Sequence, residues 1–168
     1  AQGSKYISTR FSSQAMELIR NFEGKLAIVC LPCDAKLLSK VTERSPELKE
    51  KIACVITLFC AHLSSPALTQ LVVDRLRPES DAILSDFRYS SGHWRGRLLA
   101  EFDSGQVVSK KKSYFSKYQN LYYFCETKCI HCYDHIGYFG DIACGDIWLQ
   151  RMKSEPIKHS AVITKTER

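Results

Sequence analysis

The stretch "KLAIVCLPCDAKLL", residues 25–38, indicates the architecture of the first half of the chain. Its first part is apolar and rich in branched side chains, which is typical of a buried strand. Pro32 fits the first turn of a helix, where its missing N–H costs no hydrogen bond, and residues 33–51 continue as a helix that is interrupted near Pro46. A second apolar run, "IACVITLFC" at 52–60, reads as another strand. The order strand, helix, strand predicts a parallel βαβ unit.

Further helices are predicted on either side of this unit. Residues 12–22 and 64–76 have apolar side chains at helical spacing behind Ser N-cap candidates. Beyond residue 82 the apolar runs become short and turn-bounded, which indicates antiparallel or mixed strands. These runs lie at 82–90, 96–103, 105–111, 121–125, 141–149 and 160–166. The predicted fold class is α/β (α+β): a mixed sheet with a parallel βαβ unit, followed by short strands and a cysteine-rich loop.

The 168 residues have the size of one ordinary domain, and we expect a single domain over 1–168. Within it, 1–80 forms the βαβ half, and 81–168 forms the strand-rich half that carries the cysteine loop. The chain begins without Met and stops directly after a strand-like run. We therefore expect it to be a fragment of a longer protein.

Composition excludes several classes of protein. A hydrophobic share of 45% supports a core without disulfides. No apolar run is long enough to cross a membrane, and the N-terminus lacks the order of a signal peptide, so a cytoplasmic location is expected. The net charge of +6 suits an anionic ligand or partner. No recognition motif for nucleic acid accompanies it, so none is expected as a partner.

Eight cysteines in a chain without a secretory signal favour metal or redox use over a disulfide framework. Cys33 follows the first of the two parallel strands and Cys60 ends the second, and the carboxyl ends of the two strands share one edge of the sheet. Cys129 and Cys132 belong to the series "CETKCIHC", 125–132, which could close over that edge. Four thiolates would then surround one 4Fe-4S cluster or a zinc ion.

The other four cysteines are predicted to have different roles. Cys30, Cys54 and Cys144 lie inside apolar runs, which favours packing in the core. Cys125 is not assigned. The spacing of Cys30 and Cys33 leaves a thioredoxin-like dithiol as an alternative, and the C-x3-C-x2-C series leaves a radical SAM enzyme, although its place late in a short chain disfavours that class. A zinc-stabilised module without redox chemistry also stays open, because spacing does not separate zinc from iron.

Six segments, taken in order, carry a resemblance to a known family. They are "GSKY" (3–6), "LPCDAKLLSKV" (31–41), "ITLFC" (56–60), "FRYSSGHWRGRL" (87–98), "KCIHCYD" (128–134) and "DIACGDIWL" (141–149). Over nearly its whole length the chain resembles the central and C-terminal part of the coenzyme F420 hydrogenase/dehydrogenase beta-subunit family. Asp34 departs from the family's usual Gln or His, Gly140 departs from its Ala, and Cys125 is extra.

The resemblance implies an iron-sulfur flavoprotein oxidoreductase. Such an enzyme passes electrons between a 4Fe-4S cluster, FAD and coenzyme F420, the expected substrate, and it works with a redox partner subunit or a ferredoxin-like protein. The family's cluster cysteines match Cys33, Cys60, Cys129 and Cys132, the four already grouped.

Such cofactors carry phosphates and carboxylates, which call for cationic and backbone donors. We expect Lys5 and Ser4 to hold a phosphate beside the small residue Gly3, and Arg88, Arg95 and Arg97 are further anion-binding candidates. Asp146 could bind a ribityl or sugar hydroxyl. His62, which comes just after Cys60, is a candidate for proton transfer or for a supporting role beside the cluster. Asp134 is expected to cap the cysteine loop by an Asx turn.

Overall fold

The computed structural model describes residues 13–165. Helices lie at Ser13–Asn21 (α1), Pro32–Glu43 (α2), Pro46–Lys51 (α3), Pro66–Leu76 (α4), Ser113–Gln119 (α5) and Thr127–Ile130 (α6), with a 3-10 turn at Gln150–Met152. Strands lie at Leu26–Cys30 (β1), Ile52–Leu58 (β2), Leu84–Ser91 (β3), Arg97–Phe102 (β4), Val107–Lys111 (β5), Ile142–Asp146 (β6) and Ser160–Thr164 (β7).

The chain divides into two compact units. We call His62–His131 the insert unit, because it lies in sequence between the two segments that form the other unit. That other unit, 13–61 together with 132–165, is the parallel-sheet unit.

A four-stranded sheet in the order β1-β2-β6-β7 forms the centre of the parallel-sheet unit. β1 and β6 both pair in parallel with β2, and β7 pairs antiparallel with β6. α2 and α3 connect β1 to β2, and each begins with a proline whose fixed φ suits a first helical turn. Ile28 and Cys30 of β1 pack with α1, α2 and α3 in one core cluster.

The opposite face of this sheet is open. Val29 alternates with the two core residues of β1 and is 60% exposed, while Leu58 at the end of β2 is 43% exposed. Leu58 pairs with Cys144 of β6, which pairs in turn with Val162 of β7. Val162 is 61% exposed. Within the described part of this unit, α1, α2 and α3 therefore cover the face of Ile28 and Cys30.

The insert unit contains an antiparallel sheet in the order β3-β4-β5. Alternate residues of β4, Leu98, Ala100 and Phe102, are fully or almost fully buried. They pack against the apolar stripe of α4 and against Phe115 of α5 in the second core cluster. This alternation is what a sheet with one solvated face requires.

The fold class is confirmed. β1 and β2 are parallel and are joined by helix, and β6 and β7 extend their sheet. The strand predicted at 121–125 is wrong: apart from one isolated bridge from Cys125 to Ser64, this segment is turn, and Tyr122 has φ 60°. α5 and α6 were not predicted. The two units also divide the chain differently from the predicted halves 1–80 and 81–168.

Within residues 13–165, no helix combines the length and the apolar character that a membrane crossing needs.

Candidate functional site

Cys30 and Cys33 lie on opposite sides of the junction between β1 and α2. Cys30 faces the core and is 7% exposed, as predicted, whereas Cys33 lies exposed in the first turn of α2. Burial, and then the charges of Asp34 and Cys33, raise the pKa of Cys30 to about 11. A redox dithiol needs a thiol of lowered pKa. The burial of Cys30 therefore counts against the thioredoxin-like alternative.

Cys60 comes two residues after the end of β2, beside the loop 132–141. Its backbone N–H donates to the His135 carbonyl at 2.9 Å, and its own carbonyl lies 2.9 Å from Nδ1 of His135. Cys132 is the first residue of that loop, and its Sγ lies 3.6 Å from the Asp134 carbonyl oxygen. Cys60 and the segment that carries Cys132 are thus held side by side.

α2 also contacts this loop. Lys36, one turn after Cys33, lies 3.3 Å from the Tyr133 hydroxyl and 5.1 Å from the centre of its ring. Cys33 and Cys60 both follow the carboxyl ends of neighbouring parallel strands. The parallel-sheet unit therefore gathers the segments of Cys33, Cys60 and Cys132 at one edge of its sheet.

The loop is fixed to β2 by close packing. Asp134 accepts the backbone N–H groups of Gly137 at 2.7 Å and Tyr138 at 2.9 Å. Its carboxylate therefore caps the turn that follows it, three and four residues on, rather than forming the predicted Asx turn. Thr57 of β2 is fully buried beneath the loop. A Cβ added at Gly137 would lie 2.0 Å from the Thr57 hydroxyl, and one at Gly140 would lie 2.7 Å from its methyl group. Glycine at 140 is therefore a packing requirement in this chain.

In the insert unit, Cys129 lies in α6, where its sulfur accepts the backbone N–H of Leu63 at 3.4 Å. Burial, and then the neighbouring Cys129, raise the pKa of the Cys125 thiol, whose sulfur lies 3.5 Å from the Glu126 carbonyl oxygen. Nothing in the sequence pointed to the donor at Leu63, because a backbone group leaves no residue-type signal.

No group of three or more His, Cys, Asp or Glu side chains within 13–165 is arranged as the ligands of a metal ion. The convergence of the four sulfurs of Cys33, Cys60, Cys129 and Cys132 therefore stays a prediction. Cys54 and Cys144, which were predicted to be core residues, are only partly buried.

The arginine candidates lie together in the hairpin of β3 and β4. Arg88 is paired with Asp86 at 2.6 Å, and Arg97 donates from Nε to the Ser109 hydroxyl at 2.8 Å. Arg97 lies directly opposite Lys111 across the sheet, and like charges in that position repel each other. Arg95, in the connecting loop, stacks on the Trp94 ring at 4.6 Å.

The remaining candidates are placed elsewhere. Asp146, at the end of β6, is paired with Lys158 at 2.7 Å. The His62 ring packs against the Tyr122 ring at 4.4 Å between centres. Ser4 and Lys5 lie outside the described residues.

One protein-family model, which describes the C terminus of the beta subunit of coenzyme F420 hydrogenase/dehydrogenase, matches residues 23–168. The chain belongs to this family. The match includes most of the parallel-sheet unit and the whole insert unit, so the predicted family is confirmed over most of the sequence.

A solved structure of the F420-reducing NiFe hydrogenase complex from Methanosarcina barkeri, derivatised with xenon, contains a chain of similar fold. The TM-score is 0.53 at 20% identity, over 88% of this chain and 48% of that one. At this identity the likeness concerns the fold alone, and the chain spans about half the length of that relative. None of the curated proteins matches significantly.

Proposed function

We propose that this chain is the cluster-binding part of an oxidoreductase subunit that passes electrons between a 4Fe-4S cluster, FAD and an acceptor of the coenzyme F420 type. The supporting observation is the sheet edge where Cys33 and Cys60 follow neighbouring parallel strands and the loop of Cys132 is hydrogen-bonded to Cys60. Open α/β sheets hold their ligands at such an edge. Membership of the family supports the same assignment.

The chemistry of the donors fits an iron-sulfur cluster. Cys33, Cys60, Cys129 and Cys132 would supply four thiolates, the usual complement for 4Fe-4S. The N–H of Leu63 would remain on the Cys129 sulfur, and hydrogen bonds to sulfur help to set the reduction potential. When bound, these groups supply the electron chemistry, since a cluster exchanges single electrons, a deazaflavin exchanges hydride, and a flavin can do both.

The basic face of the insert-unit sheet is our proposed contact for the cofactor's anionic groups. Arg88 and Arg97 are exposed, and Arg97 opposes Lys111. A bound phosphate or carboxylate would relieve this repulsion, and a guanidinium can grip either group through two donors. Lys5, Ser4, Arg95 and Asp146 stay predicted contributors.

The experiment for the cluster is metal analysis of anaerobically purified protein that carries Cys60→Ser or Cys132→Ser. Each variant should lose most of its iron and the visible absorption of the cluster, because a hydroxyl is a poor ligand for this soft site. Cys54→Ser is the matched control, since Cys54 lies within β2 and should leave the iron content unchanged.

Two outcomes would contradict the proposal. Zinc in place of iron in the unmodified protein would favour a zinc-stabilised module. Full iron and full flavin reduction in Cys132→Ser would show that this cysteine is not a ligand.

Binding of the anionic cofactor is tested separately. Arg97→Met should raise the Kd for FAD or coenzyme F420 about tenfold or more, the expected loss for a charge-assisted contact of ~1.5–3 kcal/mol. Iron content should not change. Lys110→Met is the control, because Lys110 is the neighbour of Lys111 on the same strand but points to the opposite face. Equal losses in both variants would mean that only net charge matters.

The partner is proposed to be another redox subunit or a ferredoxin-like protein. The solved chain of similar fold belongs to a hydrogenase complex, which supports this choice. Reduction of the bound flavin by a reduced ferredoxin, followed by stopped-flow absorbance, tests it. The rate should saturate with ferredoxin concentration in the unmodified protein and fall sharply in Cys60→Ser.

A further inference from the structure

β7 is a lateral edge strand of the sheet in the parallel-sheet unit, and its pairing with β6 fixes which backbone groups point outward. Ile147 donates its N–H to the His159 carbonyl at 3.2 Å, and Lys165 donates to the Asp141 carbonyl at 3.0 Å. The antiparallel register between these two bonds is unbroken. In such a ladder, residues that bond to the neighbouring strand alternate with residues whose N–H and C=O groups point the other way.

The odd-numbered residues of β7 therefore bond to β6. The even-numbered ones, Ser160, Val162 and Thr164, direct their N–H and C=O groups away from it. Within residues 13–165 no further strand pairs with this side of β7. Val162 and Ile163, whose side chains alternate between the two faces of the sheet, are both exposed. A further strand can thus approach the β7 edge from outside.

The β7 edge lacks the devices by which proteins usually prevent strand pairing. Residues 160–164 contain no charged residue and no proline, and their register shows no bulge. The flanking lysines are engaged within the chain, since Lys158 is paired with Asp146 at 2.7 Å and Lys165 donates to the Gly137 carbonyl. β1, at the other lateral edge, differs because two of its five residues are buried beneath α1 to α3.

We propose that two copies of this chain pair through β7, antiparallel to each other about a two-fold axis at Val162. Val162 then lies opposite Val162 of the second copy, and Ser160 lies opposite Thr164. All three outward residues of each copy become hydrogen-bonded, and each opposed pair exchanges two N–H···O bonds. The two sheets become one continuous sheet with the two β7 strands at its centre.

The occupant is a second copy because the β7 edge is complementary to itself in this register. The two valines pack on each other, and the hydroxyls of Ser160 and Thr164 lie on the same face at hydrogen-bonding positions. Lys165 lies opposite His159 of the second copy, so no two lysines oppose each other. A two-fold interface of this kind is closed and does not propagate into a fibre. The pairing does not rest on the proposed function, because it uses none of the proposed ligands.

Sedimentation equilibrium of the full chain, with a reductant that keeps its cysteines from cross-linking, tests the pairing. Between about 1 μM and 1 mM, which covers weak to moderate complexes, the mass should rise from that of one chain toward that of two. Val162→Pro should stay monomeric, because proline has no N–H to donate at the β7 edge, whereas pairing with β6 does not use this N–H. A mass that stays at that of one chain in the unmodified protein would overturn the proposal.

Val162→Lys tests the same contact without changing the backbone, since it places two ammonium groups opposite each other across the axis. This variant should also stay monomeric. Val29→Lys is the matched control, because Val29 is exposed to the same extent, 60% against 61%, and lies on the other lateral edge strand. It should dimerise like the unmodified protein. A dimer that survives both substitutions at Val162, or an equal loss in the two lysine variants, would contradict pairing through β7.

Amide hydrogen exchange locates the contact residue by residue. The N–H groups of Ser160, Val162 and Thr164 should exchange more slowly as the protein concentration rises. Those of Ala161 and Ile163 should be protected at every concentration, because they bond to β6. A dimer that forms without slower exchange at the three even-numbered residues would place the interface elsewhere and overturn the proposal.

Discussion

The two units differ in how their sheets are covered. The insert unit buries one face of an antiparallel sheet against α4 and α5 and solvates the other, which is the usual arrangement for antiparallel strands. The parallel-sheet unit covers one face with α1 to α3 and leaves Val29, Leu58 and Val162 exposed on the other. Parallel strands are normally covered on both faces.

This difference shows where the free energy of folding is concentrated. In the insert unit, the side chains of the inner face supply the stabilisation from packing, and the outer face holds charged side chains. In the parallel-sheet unit, this stabilisation must come from the helix-covered face and from the loop 132–141, because the open face buries little apolar area. Substitutions at matched positions can therefore separate the two arrangements.

The largest effect is expected for Phe102→Ala in the insert unit. Phe102 is 1% exposed, and removing a buried aromatic ring should lower the free energy of unfolding by about 3–5 kcal/mol. Urea unfolding followed by circular dichroism measures this change. Val107→Ala, on the exposed edge strand of the same sheet, should cost less than about 0.5 kcal/mol. Comparable costs for the two variants would contradict the one-sided core.

A somewhat smaller loss is expected for Gly137→Ala in the parallel-sheet unit. Gly137 has φ 73°, and its added Cβ would collide with buried Thr57, so backbone strain and overpacking together should cost about 2–4 kcal/mol. Gly105→Ala is the matched control, because Gly105 has φ 78° with nothing within 4 Å of the added Cβ. It should cost only about 1–2 kcal/mol, the strain of an L-residue in the left-handed region. If the two variants unfold at the same urea concentration, the packing on Thr57 is not significant.

A third effect concerns pH and the covered face of β1. The pKa of Cys30 is about 11 in the folded chain, against 9.0 for an ordinary thiol. Below pH 9 the thiol is neutral in both states; between pH 9 and 11 it ionises only in the unfolded chain, so stability should fall by about 1–2 kcal/mol. Between pH 8 and pH 10.5 the free energy of unfolding should decline less for Cys30→Ala than for the unmodified protein. Equal declines in the two proteins would mean that other titrating groups cause the loss of stability.

The smallest effect is expected on the open face. Val29→Thr keeps the β-branched shape and should change the free energy of unfolding by less than about 0.5 kcal/mol. Ile28→Thr, one residue earlier but facing the core, should cost about 2 kcal/mol or more because it buries a hydroxyl. Chemical denaturation of both variants compares the faces directly, and a large cost at Val29 would mean that this face is covered in the native protein.

The sequence predicted the βαβ unit because its signals are local. Two apolar runs, Pro32 at the helix start and a helical connection of crossover length leave few topologies for 25–60. The same reasoning placed Cys33 and Cys60 near the carboxyl ends of these two strands, although β2 ends at Leu58 and not at Cys60. It failed at 121–125, where the aromatic-rich sequence is typical of a strand. In the structure Tyr122 takes a left-handed conformation and Tyr123 is largely exposed. Strand propensity is realised only where a neighbouring strand pairs.

The contacts of Cys125 and Cys129 with residues 63–65 show the other limit of sequence reasoning. They depend on the pairing of 63–65 with 124–126, and these segments are distant in sequence. No pattern within either segment encodes that pairing. Glycine is the usual residue where the backbone takes positive φ or approaches another group closely, but the sequence analysis did not use Gly137 or Gly140 in this way.

The interrupted sequence of the parallel-sheet unit has a consequence for how the chain folds. β2 cannot pair with β6 until the whole of His62–His131 has been made, so this contact closes a long loop at an entropic cost. Inside the insert unit, the hydrogen bond from Glu126 to Leu63 brings the two ends of that loop together. Once the insert unit has folded, it therefore acts as a short connection. We expect it to fold first and to set the rate at which β6 joins the sheet.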